Sequence, residues 1–100
     1  MIVRIRADGA VALVEVDDLA RFHVEAERGA DVDGALATAG AGRLGADGDA
    51  RITVTWLRST SRRAGEPAWD DGLEGMLGYA GTKGWLDDDG ASIRAHVASL

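Results

Sequence analysis

The chain has 100 residues, a net charge of −6, one proline and no cysteine. Such a length predicts one domain, residues 1–100, with a single modest core. The acidic balance argues against nonspecific nucleic-acid binding, the lack of cysteine excludes disulfides and thiolate metal sites, and no apolar run approaches the ~20 residues of a membrane span.

The opening MIVRIRADGAV alternates apolar and polar residues and is not the long apolar stretch of a signal peptide, so a soluble cytoplasmic protein is expected. Met1 to Val16 reads as two strands about Asp8-Gly9, a two-residue hairpin signal in which both central residues would take φ > 0. Asp17-Asp18 interrupts the pattern. Ala20 to Ala26 (ARFHVEA) fits two templates. As a strand it places Ala20, Phe22, Val24 and Ala26 on one face and Arg21, His23 and Glu25 on the other; as a helix it would be capped by Asp18 and ended by Gly29. The unbroken alternation favours the strand. A short helix is expected from Asp31 to Thr38, stopped by Gly40, and a strand from Arg51 to Thr55 after the turn at Asp47-Gly48-Asp49. Trp56 to Arg63 reads as a turn or short helix, and Ser59 to Ala68 as the strongest loop. A last strand, Ser92 to Val97, would turn Ile93, Ala95 and Val97 one way and Arg94 and His96 the other.

From Gly72 to Gly84 a glycine falls at every third position. The large apolar residues nevertheless mark one helical face: Trp69, Leu73, Met76, Leu77 and Ala80. Pro67 suits a helix start, Gly84 suits the left-handed position after its end, and Trp85 can fold back on Tyr79 or Ala80. A collagen reading fails for want of proline at the X and Y positions. A helix from Ala68 to Lys83 is therefore expected, its glycines leaving a slanted stripe without side chains.

Several motifs match in letters only. GAGRLG (Gly40 to Gly45) has the glycine spacing of a dinucleotide loop but follows a helix and precedes a turn and strand, the reverse of the required order. Gly78 to Gly84 lacks the Gly-Lys-Ser/Thr order of a phosphate loop. Asp87-Asp88-Asp89-Gly90 lacks the spaced ligands and closing glutamate of a calcium loop and reads as a solvated turn. No cofactor or metal is expected. Trp56, Trp69 and Trp85 read as core and cap residues.

The strand assignments put Arg4, Arg6, Arg21, Arg51 and Arg94, with His23 and His96, on faces opposite the apolar ones. An α+β fold of two layers then follows, order β-β-β-α-β-α-β, with a mainly antiparallel sheet and helices on one face. The open face would be basic on an acidic protein, suited to a small anionic ligand, a protein partner or a second copy in a homodimer. These positions lack the aromatics of an RNA-binding sheet. The leading expectation is a non-enzymatic interaction or small-anion-binding module, with the five arginines as ligand-binding candidates. The alternative is a small enzyme acting on an anionic substrate, with His23 or His96 as general base and a concave pocket beside it. FHVEA (Phe22 to Ala26) and GYAGTKGWLDDDGASIRAHV (Gly78 to Val97) resemble stretches of short, uncharacterised proteins of high-GC actinobacteria. That resemblance implies no activity, cofactor or catalytic residue; it accords with the cytoplasm and with a tail of helix, turn and strand.

Overall fold

The N-terminal alternation forms a hairpin. In the computed structural model, which describes residues 1–100, β1 (Ile2–Ile5) and β2 (Val11–Val14) pair antiparallel. The Arg6 carbonyl accepts from the Gly9 amide at 2.9 Å, and only Gly9 of the turn has positive φ, at 91°. The connection is therefore a three-residue loop with a bulged glycine, where the sequence suggests a two-residue turn. The Asp8 carboxylate accepts from the Ala10 amide at 2.9 Å, holding the turn from within. The same device recurs twice. Asp47 accepts from the Asp49 amide beside Gly48, and Asp89 accepts from the Ala91 amide beside Gly90. The Asp87 to Gly90 run is thus a turn leading into a strand.

The ambiguous Leu19 to Ala26 segment is a strand in its second half. β3 (His23–Ala26) buries Val24 and Ala26 and leaves His23 and Glu25 half-buried. It starts only at His23, because the Met1 amine donates to the carbonyls of Asp18 and Arg21, which diverts the preceding residues from any ladder. β1 and β3 run parallel, and β3 pairs in parallel with β7 (Val97–Ser99).

A second sheet holds β4 (Gly42–Leu44), β5 (Ala50–Thr53) and β6 (Ser92–Ala95), all antiparallel. The class is α+β, and three of the five strand pairings are antiparallel. The finer topology departs from the expectation, with two sheets in place of one and the order β-β-β-α-β-β-α-α-β-β. The added elements are β4, the second of the three helices, and a last strand divided in two at His96, which separates β6 from β7. The expected single strand from Ser92 to Val97 leaves the second sheet there and enters the first.

Helix α1 (Val32–Ala39) is capped by Asp31, whose carboxylate accepts from the Gly34 amide at 3.1 Å, and ends at Gly40 in the left-handed conformation. Beyond this cap GAGRLG contributes an edge strand. A Cβ on Gly42 would sit 1.8 Å from the Arg51 carbonyl oxygen, so only glycine lets β4 lie against β5. The strand expected over Arg51 to Thr55 stops early, because the Thr53 hydroxyl accepts from the Trp56 amide and starts α2 (Val54–Thr60).

The glycine-rich tract is α3 (Pro67–Thr82), with Trp69, Leu73, Leu77 and Ala80 buried. The Trp69 indole N–H donates to the Val16 carbonyl at 2.7 Å, tying the helix start to the segment after β2. At the far end the Trp85 amide donates to the Ala80 carbonyl and the Gly84 amide to that of Gly81, with Gly84 at φ 75°. Both bonds are those of a Schellman ending. Trp85 meets Tyr79 edge to face, ring centres 5.9 Å apart. One cluster of 18 buried residues draws on β1, β3, β5, β6 and all three helices.

Candidate functional site

The five candidate arginines fall into separate groups. Arg4 on β1 stands in register with Glu25 on β3, and their side chains pair at 3.1 Å. His23 Nε2 reaches the other oxygen of Glu25 at 3.2 Å. Hydrogen bonds from His23, then Arg4, hold the Glu25 carboxyl below its ordinary pKa. Arg6 pairs loosely with Glu27, at 3.7 Å. Arg21, exposed in the segment before β3, makes no ion pair.

Arg51 and Arg94 are directly opposed across β5 and β6. Like charges in that position repel, and the turn joining β4 to β5 supplies the carboxylates that offset this. Asp47 pairs with Arg51 at 2.8 Å, and Asp49 accepts from Arg94 Nε at 2.7 Å. The hydrogen bond from Arg51 lowers the Asp47 pKa and raises that of Arg51. His96 Nδ1 lies 3.7 Å from the free oxygen of Asp49. The expected continuous basic face is thus divided between two sheets, and four of its five arginines already face carboxylates.

The two histidines belong to adjacent chain segments, since the Val24 amide donates to the His96 carbonyl at 2.8 Å. Their side chains turn to different acids, His23 to Glu25 and His96 to Asp49.

The second group borders a large cleft. A cleft of about 620 Å³ runs between α3, the Leu19 to Phe22 segment and the start of β6. Leu19, Phe22, Met76, Tyr79 and Trp85 form its walls, and Arg94 is the sole charged residue lining it. Gly75 also lines it, and a Cβ there would meet nothing within 4 Å. A neighbouring hollow of about 300 Å³ shares Phe22, Trp85 and Arg94 and adds Asp49 and His96. Through these three shared residues the two spaces adjoin, an apolar one beside a polar one, and together they make up the recess.

Reading the sequence for the cleft would have needed a clue in the exposed aromatics. Tyr79 and Trp85 are 57% and 41% exposed, yet helical spacing and the cap position assign them to packing. The glycine stripe carries a partial signal. Gly75 and Gly78 open into free space, whereas a Cβ on Gly72 would meet Leu19 Cδ1 at 2.5 Å. The close approach that glycine permits is therefore confined to Gly72, and the opening at Gly75 leaves room in the cleft.

No group of three or more His, Asp or Glu side chains is arranged to hold a metal ion, and no helix is long and apolar enough to cross a membrane. In comparisons with protein-family models, with curated proteins and with solved structures, nothing matches this chain.

Proposed function

We propose that this α+β domain is a non-enzymatic binding module for a small amphipathic ligand, its apolar body in the large cleft and its anionic group on Arg94. The observation that carries this reading is a cleft of about 620 Å³ walled by apolar and aromatic side chains with a single charge, Arg94, in its lining. Small-molecule sites have this size and makeup, with a few polar groups fixing orientation. Arg94 keeps donors for a ligand, because only its Nε is within hydrogen-bond distance of a carboxylate, its Nη2 standing 3.7 Å from Asp47. A homodimer joined through the sheet faces would need arginines that here already have acidic partners, so the reading rests on the cleft.

The test is a thermal-shift and calorimetric screen of apolar carboxylates against the wild type and Gly75→Leu. Leucine at that position points into open space and improves helix propensity by ~0.8 kcal/mol or more, so the fold is retained. Binding that weakens by about tenfold or more in the variant places the ligand in the cleft; equal affinity, or silence across the panel, rejects the reading.

A second reading rests on one observation, that His96 and Asp49 line a hollow sharing Phe22, Trp85 and Arg94 with the cleft. An enzyme using His96 as general base would bind the same ligand class and turn it over. His96→Gln would then abolish product formation while leaving affinity within about twofold, and mass spectrometry of the incubated ligand reads this directly.

A further inference from the structure

We infer that the ligand head group carries a positively charged donor beside its carboxylate, and that the ligand is a free amino acid with an apolar or aromatic side chain. This rests on the cleft being the binding site and adds what its polar end selects.

A site built for a bare anion would gather positive charge, and this one does not. Arg94 shares its end of the recess with Asp49, whose side chain is only 21% exposed. One oxygen of Asp49 accepts from Arg94 Nε at 2.7 Å. Its other oxygen, Oδ1, accepts no hydrogen bond, and His96 Nδ1 lies 3.7 Å from it. Arg94 likewise has Nη1 without a partner. The polar end therefore holds an unused acceptor and an unused donor on two residues that already touch. A lone carboxylate would satisfy Arg94 while lying against the negative oxygen of Asp49. A lone amine would satisfy Asp49 while lying against Arg94. A head group bearing both charges on one carbon answers both, because its carboxylate faces the guanidinium and its ammonium faces Oδ1.

The volumes exceed that of a single amino acid, so they admit such a molecule without selecting its size. The hollow of about 300 Å³ holds the head group, and the adjoining cleft of about 620 Å³ takes the side chain between Phe22, Met76 and Trp85. Phe22, Trp85 and Arg94 line both spaces, so the two parts of one ligand can occupy them together. A peptide terminus offers only one of the two charges and satisfies only half of the pair.

The experiment is calorimetric titration of the full chain with L-tryptophan, L-phenylalanine and L-leucine, each beside its deaminated acid and its decarboxylated amine, and repetition with Asp49→Asn. The expected result is at least one amino acid binding about tenfold or more tighter than both of its analogues, with that preference over the acid collapsing to within about threefold in Asp49→Asn. Deaminated acids binding as tightly as their amino acids would overturn the inference and leave the cleft reading standing. Silence from all nine compounds overturns the inference, and the reading itself falls only if the wider panel of apolar carboxylates is silent too. The wild-type comparison is decisive alone if Asp49→Asn fails to fold.

Discussion

At each sheet an arginine, a histidine and a carboxylate come together, and one of these groups adjoins the large cleft. On the first sheet Arg4, His23 and Glu25 converge within 3.2 Å on strands paired in register. On the second, Arg94 and His96 approach Asp49, carried by a turn. The first group lines neither the large cleft nor its smaller neighbour; the second lies where α3 and the Leu19 to Phe22 segment stand apart from β6. Residue type and charge are shared, so they do not make a site. What differs is the neighbouring surface, solvent in one case and an aromatic-walled recess in the other.

Exchanging the two groups' arginines probes that difference most strongly. Arg94→Ala removes a charge-assisted contact of ~1.5–3 kcal/mol, so ligand affinity falls by at least about tenfold. Arg4→Ala, at the matching place on the first sheet, leaves affinity within about twofold in the same titration. Equal losses would erase the distinction.

A smaller effect concerns backbone conformation. Glu15, just after β2, is the only residue other than glycine with positive φ, at 53°. Left-handed backbone costs a side-chain-bearing residue ~1–2 kcal/mol, partly offset by the greater freedom glycine has in the unfolded chain. Glu15→Gly is therefore expected to raise stability by several tenths of a kcal/mol, read from urea unfolding, and to leave cleft binding unchanged. In α3, Gly78→Ala enters open space and stabilises by up to ~1 kcal/mol, whereas Gly72→Ala gains less because its methyl meets Leu19.

Acid titration should show Glu25 of the first group and Asp47, in the turn beside the second, behaving alike. The folded-state pKa values of Glu25 and Asp47 are both depressed, by His23 and by Arg51 in first place. Between each depressed value and the usual carboxylate range the unfolded chain binds more protons, so stability rises with pH there. The contribution is present above about pH 4 and is lost as pH falls through the folded values. His23→Gln should return the Glu25 pKa toward normal, and Arg51→Met that of Asp47, both followed by carboxyl NMR. Similar shifts at the two places would leave the cavity as the distinguishing feature; no shift in either variant would remove the named partners as the cause.

Much of the fold was legible locally. Helix α3 announced itself through apolar spacing, a proline at its start and Gly84 with Trp85 at its end, because caps and periodicity act over a few neighbouring residues. The same locality made Asp8-Gly9 readable as a turn while leaving its loop length wrong, since Asp8 bonds the Ala10 amide instead of taking left-handed backbone. The site was hardly legible. The charge of Arg94 marks it in the sequence, but nothing there marks Asp49, Phe22, Met76, Tyr79 and Trp85 as lining the recess, because each has an ordinary local reason to be where it is.

The sequence by itself determined the α+β class, the three helix starts or stops marked by Asp31, Gly40 and Gly84, and the buried sides of β1, β3 and β6, for all of these follow from side-chain alternation and backbone capping. Only the tertiary structure decided that Ser92 to Ser99 serves two sheets, dividing at His96, because strand partners are chosen by core packing across distant segments. It also decided which arginine stands beside a cavity. A cleft is the space that packed elements leave between them, and its lining residues lie between positions 19 and 94, beyond the reach of any local pattern.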